Sequence, residues 1–158
     1  MSPAALTTKT IRLPSALVDA TEARADEIGL TFSDVVEDAL TAHLGLPRNA
    51  SFEVLEDVRA FLLDRYPQRT GFPRDVTLEV FLHLRDEPDA RRRYRSALSG
   101  GTGGSDESLR ASLHRRVGKA VKQVLGARVV GRSLPLDPDE VLIQSHALLE
   151  PGGSSGER

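Results

Sequence analysis

The first hydrophobic positions of the chain alternate with polar ones. In the run TTKTIRLP, Thr8, Thr10 and Arg12 fall on one side, whereas Ile11 and Leu13 fall on the other. Alternation with a period of two before a proline is typical of a half-buried strand. The pattern therefore predicts a short strand at the beginning of the chain.

After this strand the spacing of apolar positions becomes helical. A first helix is predicted over residues 15–28, and Gly29 is the residue expected to end it. Thr31 is the predicted N-cap of a second helix, with Asp34 three residues later in a near capping box. This second helix is expected to end near Gly45.

Beyond the second helix, the pattern predicts a larger helical region that ends in two strands. Four helices are expected over residues 52–66, 75–84, 88–98 and 108–125, and two strands over 127–133 and 141–149. The glycine-rich run over 99–105 is expected to be a loop, and residues 151–158 a disordered tail. The predicted organisation is a module over 1–46, a linker over 47–51, a C-terminal domain over 52–150 and the tail.

Charge is distributed unevenly along a chain whose net charge is −2. Residues 85–132 carry twelve basic and five acidic side chains, whereas residues 1–45 carry three basic and seven acidic ones. Only the basic block indicates a surface that attracts an acidic partner.

The first strand has no partner within its own segment, and a strand with two helices cannot bury its apolar faces alone. A twofold dimer would pair two such strands antiparallel. The outward Thr8, Thr10 and Arg12 of such a ribbon would reach base edges in the DNA major groove.

The segment TTKTIRLPSALVDATEARADEIGLTFSDVVEDALTAHL resembles the ribbon-helix-helix superfamily of bacterial repressors and antitoxins. The resemblance implies base contacts by Thr8, Thr10 and Arg12. It also implies phosphate contacts at the start of the second helix, by the backbone of Thr31, Phe32 and Ser33. The sequence departs from the family at Lys9, which stands where an apolar residue is usual and is placed to reach a phosphate.

The predicted helix over 108–125 is basic and is followed by the two predicted strands, which is the element order of a winged helix. This order suggests a second DNA contact, although a domain for oligomerisation, a ligand or a protein partner is the favoured alternative. The second contact would use six basic residues: Arg115, Arg116, Lys119, Lys122, Arg128 and Arg132.

Other classes of protein find little support in the sequence. Without cysteine there is no disulfide or thiolate metal site, and the four histidines are far apart, so neither a metal nor a cofactor is expected. No apolar run is long enough for a membrane span, and no residue pattern predicts an enzyme.

The sequence thus predicts a mainly α protein with short β elements, in which a ribbon-helix-helix dimerisation module precedes a C-terminal α+β domain. The predicted function is that of a homodimeric, sequence-specific repressor on double-stranded DNA, in the cytoplasm with the nucleoid. Three alternatives remain open. They are an antitoxin whose C-terminal region binds a toxin, a plasmid or chromosome maintenance protein, and a protein-interaction scaffold.

Overall fold

The computed structural model describes residues 7–99 and 106–153, and in this part the chain is mainly helical with one two-stranded antiparallel sheet. Each helix predicted from the sequence is present, with ends shifted by a residue or two. The predicted loop over 99–105 and the last five residues of the predicted tail lie almost wholly outside the described residues. The elements are α1 (Ser15–Ile28), α2 (Phe32–His43), α3 (Ala50–Arg65), α4 (Val76–Asp86), α5 (Pro88–Ser99), α6 (Asp106–Leu125), β1 (Ala127–Arg132), α7 (Pro138–Val141) and β2 (Ala147–Pro151).

The predicted ribbon strand is absent. Residues 7–14 form no strand, and β1 and β2, the two strands of the described chain, pair only with each other. Ile11, expected to be covered by the ribbon, is 64% exposed. The reason is that an extended segment becomes a strand only when another strand completes its hydrogen bonds, and no described segment does so here. The ribbon-helix-helix part of the predicted fold class is therefore wrong, whereas the mainly α class with short β elements is confirmed.

Helices α1 and α2 are formed by local signals and then pack onto the rest of the chain. Thr31 and Asp34 make the predicted capping box at the start of α2. At the end of α1, Gly29 adopts a left-handed conformation with φ of 73°. A Cβ atom on Gly29 would lie 2.8 Å from the backbone nitrogen of Ala120 in α6, so only glycine permits this approach of the two helices.

The hydrophobic core lies between α3, α4, α5 and α6. Leu55 and Leu62 of α3, Phe81 of α4 and Val117 and Val121 of α6 are almost completely buried in one cluster. Ile28, at the end of α1, belongs to the same cluster. Helix α6 therefore has one face in the core and one face turned away from it.

The two strands form a hairpin beside α6. Strand β1 pairs antiparallel with β2, and an irregularity in the register lies between Val129 and Gly131. The second strand begins six residues later than predicted, because Asp137 caps the short helix α7 and Pro138 occupies its first turn. The backbone N–H of Leu149 donates to the carbonyl oxygen of Arg74 over 2.9 Å, which holds β2 against the segment before α4.

Candidate functional site

A cleft of about 910 Å³ lies between the outer face of α6 and the segment that leads into β2. Basic side chains of α6 form one wall, and Arg132 from the end of β1 also lines the cleft. The cations of the cleft therefore come from two different elements. The basic residues of α6 that line it are Arg110, Arg115, Lys119 and Lys122.

Three of the four basic residues of α6, Arg115, Lys119 and Lys122, form a stripe along the helix. They are spaced by four and three positions, which keeps them on one face, whereas Arg110, five positions before Arg115, lies to one side of that face. At 1.5 Å of rise per residue, the twelve-residue interval from Arg110 to Lys122 corresponds to about 18 Å. All four side chains are exposed, so the stripe is open to a partner from solvent.

Few acidic groups oppose this positive charge. Within the side chains that the structure describes, Arg110, Arg115 and Lys122 form no ion pair. Lys119 lies 3.8 Å from the carboxylate of Asp26, but both side chains are exposed and such a pair is weak. Glu107 is the single acidic residue among those that line the cleft. Five basic groups and one carboxylate give the cleft a formal charge of +4.

His114 contributes no charge to this site at neutral pH. Burial, followed by the nearby charge of Arg110, lowers the pKa of His114 from 6.5 to about 4. The hydroxyl of Tyr94 lies 2.7 Å from its Nε2 atom, and the ring of Phe81 contacts it edge-on with centroids 4.8 Å apart. His114 is thus a neutral, partly buried group where the stripe meets the core.

His146 also lines the cleft, and it is 6% exposed. Its backbone is fixed to the end of β1, since its N–H donates to Ser133 Oγ over 3.0 Å and its carbonyl accepts from the Ser133 N–H over 2.9 Å. Both ring nitrogens are buried and have no hydrogen-bond partner among the described residues. Burial lowers the pKa of this imidazole. The cleft therefore contains a neutral imidazole whose hydrogen-bonding capacity is unused.

The base-contacting residues predicted from the first strand do not belong to this cleft. Thr8, Thr10, Arg12 and Lys9 are exposed in the segment that forms no strand. None of them lines the cleft. Their predicted contacts with DNA stay predictions, without the ribbon that was expected to present them.

The predicted phosphate site at the start of α2 already holds a carboxylate. Asp34 Oδ2 accepts from the backbone N–H of Thr31 over 3.0 Å and from its hydroxyl over 2.7 Å. An approaching phosphate would meet this negative charge beside the backbone of Phe32 and Ser33. Apart from the helix N-terminus itself, nothing in the structure at the start of α2 supports the predicted phosphate contact.

Four of the six basic residues predicted for a second contact do come together in the cleft: Arg115, Lys119, Lys122 and Arg132. The other two are paired with acids elsewhere. Arg116 Nη2 lies 3.5 Å from Asp34 Oδ2, and Arg128 Nη2 lies 3.5 Å from Glu150 Oε2. Arg116 therefore links α6 to α2, and Arg128 links β1 to β2.

Sequence reasoning did not select Arg110 or His146. Arg110 could have been found, because it belongs to the same basic helix as Arg115 and Lys119. No sequence signal marks His146, because its burial depends on the packing of the hairpin against α4 and α6.

Comparisons with known proteins add no family assignment, since neither a scan against family models nor searches of curated proteins and solved structures found a match to this chain. Within residues 7–99 and 106–153, no group of three or more histidine, aspartate or glutamate side chains is placed to hold a metal ion. In the same part of the chain, no helix is long and apolar enough to cross a membrane.

Proposed function

We propose that this chain binds double-stranded DNA through the basic cleft and acts as a sequence-specific regulator of transcription. One observation carries the proposal: five basic side chains from α6 and β1 line one cleft together with a single carboxylate. The beginning of the chain is acidic, and the net charge is −2. Attraction to a polyanion must therefore come from a local surface, and the cleft gathers five basic side chains with one acidic one.

The dimensions of the stripe suit a phosphate backbone. Duplex DNA carries one negative charge per about 1.7 Å of its axis, so the length of about 18 Å over which α6 carries its four cations runs beside several phosphates. Arg132, which lines the same cleft from β1, would add a phosphate contact from a second element. Arginine is well suited to this contact, because its planar guanidinium can donate two hydrogen bonds to one phosphate.

The test is the dependence of DNA affinity on salt, measured by fluorescence anisotropy with a labelled duplex. If the five cations each neutralise one phosphate, log K should fall with log salt with a slope of about −4.5. Between 50 and 200 mM salt that slope corresponds to a loss of affinity of about 500-fold. The double variant Arg115→Ala/Lys122→Ala should reduce the slope to about −2.7 and the loss to about 40-fold.

A matched control removes two arginines outside the cleft. Arg91 and Arg95 lie on α5, line a separate surface hollow and form no ion pair among the described side chains. Arg91→Ala/Arg95→Ala changes the net charge by the same amount, and we expect it to leave the slope unchanged. An equal effect of both double variants would contradict a defined interface in the cleft.

Two further measurements test the nucleic-acid and regulatory parts of the proposal. A polyglutamate peptide should bind much more weakly than the duplex at equal salt, and comparable affinity would show a general preference for acidic chains. Selection from a random pool of duplexes should enrich a common sequence. A pool that remains random while binding persists would contradict sequence-specific regulation but not DNA binding.

A further inference from the structure

We infer that the basic cleft also binds a small phosphorylated ligand with a flat heteroaromatic body, of the class of nucleoside mono- and diphosphates. Phosphates of this ligand would lie on the basic wall of α6, and its ring system would reach towards His146. The ligand and DNA would then exclude each other, so that the ligand regulates DNA binding. This regulatory part rests on the proposed function, whereas the binding of the ligand does not.

The shape and lining of the cleft match this class of ligand. Its volume of about 910 Å³ falls within the range of sites for small molecules, roughly 300–1,000 Å³. Val129, Pro138 and Leu142, which line it and are exposed or half-buried, supply an apolar surface beside the cations. Cations beside an apolar surface fit a molecule with an anionic end and a ring-shaped, largely apolar body.

His146 is the feature of the cleft that favours a heteroaromatic ring in the ligand. A neutral imidazole has one donor and one acceptor nitrogen, and leaving both buried without a partner is unfavourable. In the free chain both nitrogens are closed off from solvent, so a ligand bonds to them only when the imidazole turns towards the cleft. The edge of a heterocyclic ring, which presents donors and acceptors side by side, can then complete the bonds of this imidazole. An aliphatic phosphate ester would leave the same nitrogens unpaired.

Gly118 leaves space in the cleft for the ring system of the ligand. It stands in the interior of α6, where glycine is less favourable than alanine by about 1 kcal/mol. It lines the cleft, and a Cβ atom built on it would meet nothing within 4 Å. The missing side chain therefore widens the cleft beside the basic stripe, where a flat body can approach the helix backbone.

The experiment is calorimetric titration of the full chain with ADP, adenosine and pyrophosphate, each in the absence of DNA. We expect ADP to bind more tightly than either of its parts, because it alone engages both the cations and His146. The variant His146→Phe keeps a buried aromatic ring of similar size, and it should weaken ADP by about tenfold while pyrophosphate is unaffected. Gly118→Leu should abolish ADP binding by filling the cleft, whereas Gly118→Ala should retain it.

Thermal unfolding is the control that each variant is folded. If His146→Phe does not fold, Gly118→Leu still tests the ligand site. Equal affinity for adenosine and ADP would contradict the inference that the cations of the cleft bind the phosphates of the ligand. Equal binding of ADP to wild type and His146→Phe would overturn the role of the imidazole, and failure of ADP to bind at all would overturn the proposal.

Competition separates this inference from the proposed function. ADP should displace a labelled duplex from wild type, and His146→Phe should still bind DNA but resist displacement. Binding of ADP that depends on His146, in a chain that binds no DNA, would uphold the ligand site and refute the DNA-binding function. Simultaneous binding of ADP and DNA would overturn the regulatory part.

Discussion

Substitution of Gly29 by alanine tests the packing of the N-terminal helices on α6. Two costs add at this position. An L-residue in the left-handed conformation costs about 1–2 kcal/mol. The new Cβ atom would also lie 2.8 Å from the backbone nitrogen and 2.9 Å from the Cα atom of Ala120, and such crowding of a packed interior costs about 1–3 kcal/mol. We therefore expect Gly29→Ala to lower the free energy of unfolding by about 2–5 kcal/mol.

Gly45 provides the matched control for the conformational cost. It also has a positive φ, of 67°, but a Cβ atom on it would meet nothing within 4 Å. Gly45→Ala should therefore lose only about 1–2 kcal/mol. The difference between the two variants isolates the contact between the end of α1 and α6.

The assay is urea unfolding followed by circular dichroism, with thermal unfolding as a second measurement. For a chain of this size, the expected loss in Gly29→Ala corresponds to a fall in Tm of between about 4 and 20 °C. If Gly29→Ala and Gly45→Ala lose the same stability, the end of α1 does not approach α6 in solution. The reasoning would then fail for the whole N-terminal segment.

Three further predictions concern side chains around the core. Asp38→Asn should destabilise the chain by about 1–2 kcal/mol in urea unfolding, because Arg48 makes hydrogen bonds of 2.8 and 3.2 Å to its carboxylate; unchanged stability would show that this link between α2 and the start of α3 contributes nothing. Tyr94→Phe should cost about 1 kcal/mol in the same assay by removing the hydrogen-bond partner of the partly buried His114, and a neutral result would refute that hydrogen bond. Folding lowers the pKa of His114 from 6.5 to about 4, so the unfolded chain binds the proton more tightly than the folded chain. The free energy of unfolding should therefore fall as the pH decreases from 6.5 towards 4. His114→Gln should flatten this part of the pH profile, and a variant with the wild-type profile would contradict the lowered pKa of His114.

Local signals account for what the sequence predicted correctly. The left-handed Gly29, the capping box of Thr31 and Asp34 and the apolar faces of the helices depend on residues only a few positions apart. These signals placed the helices to within a residue or two. The basic helix was also recognised, with four of the five cations that line the cleft.

Features that depend on distant partners were not predictable in the same way. The alternation around Ile11 indicates that this segment would have one apolar and one polar side if it formed a strand. It does not indicate whether another strand is available to pair with it. The burial of His146 arises when β2 packs between β1 and the segment before α4, which no local pattern records. The antitoxin, plasmid or chromosome maintenance and scaffold alternatives remain predictions, because none of the described contacts favours one of them.

The position of α6 has a consequence for the energetics of recognition. This helix carries the basic stripe on its outer face, while Val117 and Val121 on its inner face are completely buried. The surface proposed to bind DNA is therefore helical before any partner arrives, unlike basic segments that become helical only in a complex and lose conformational entropy in doing so. Association with DNA should accordingly show a small heat-capacity change, because little new apolar surface is buried, and its free energy should come mainly from the release of counterions.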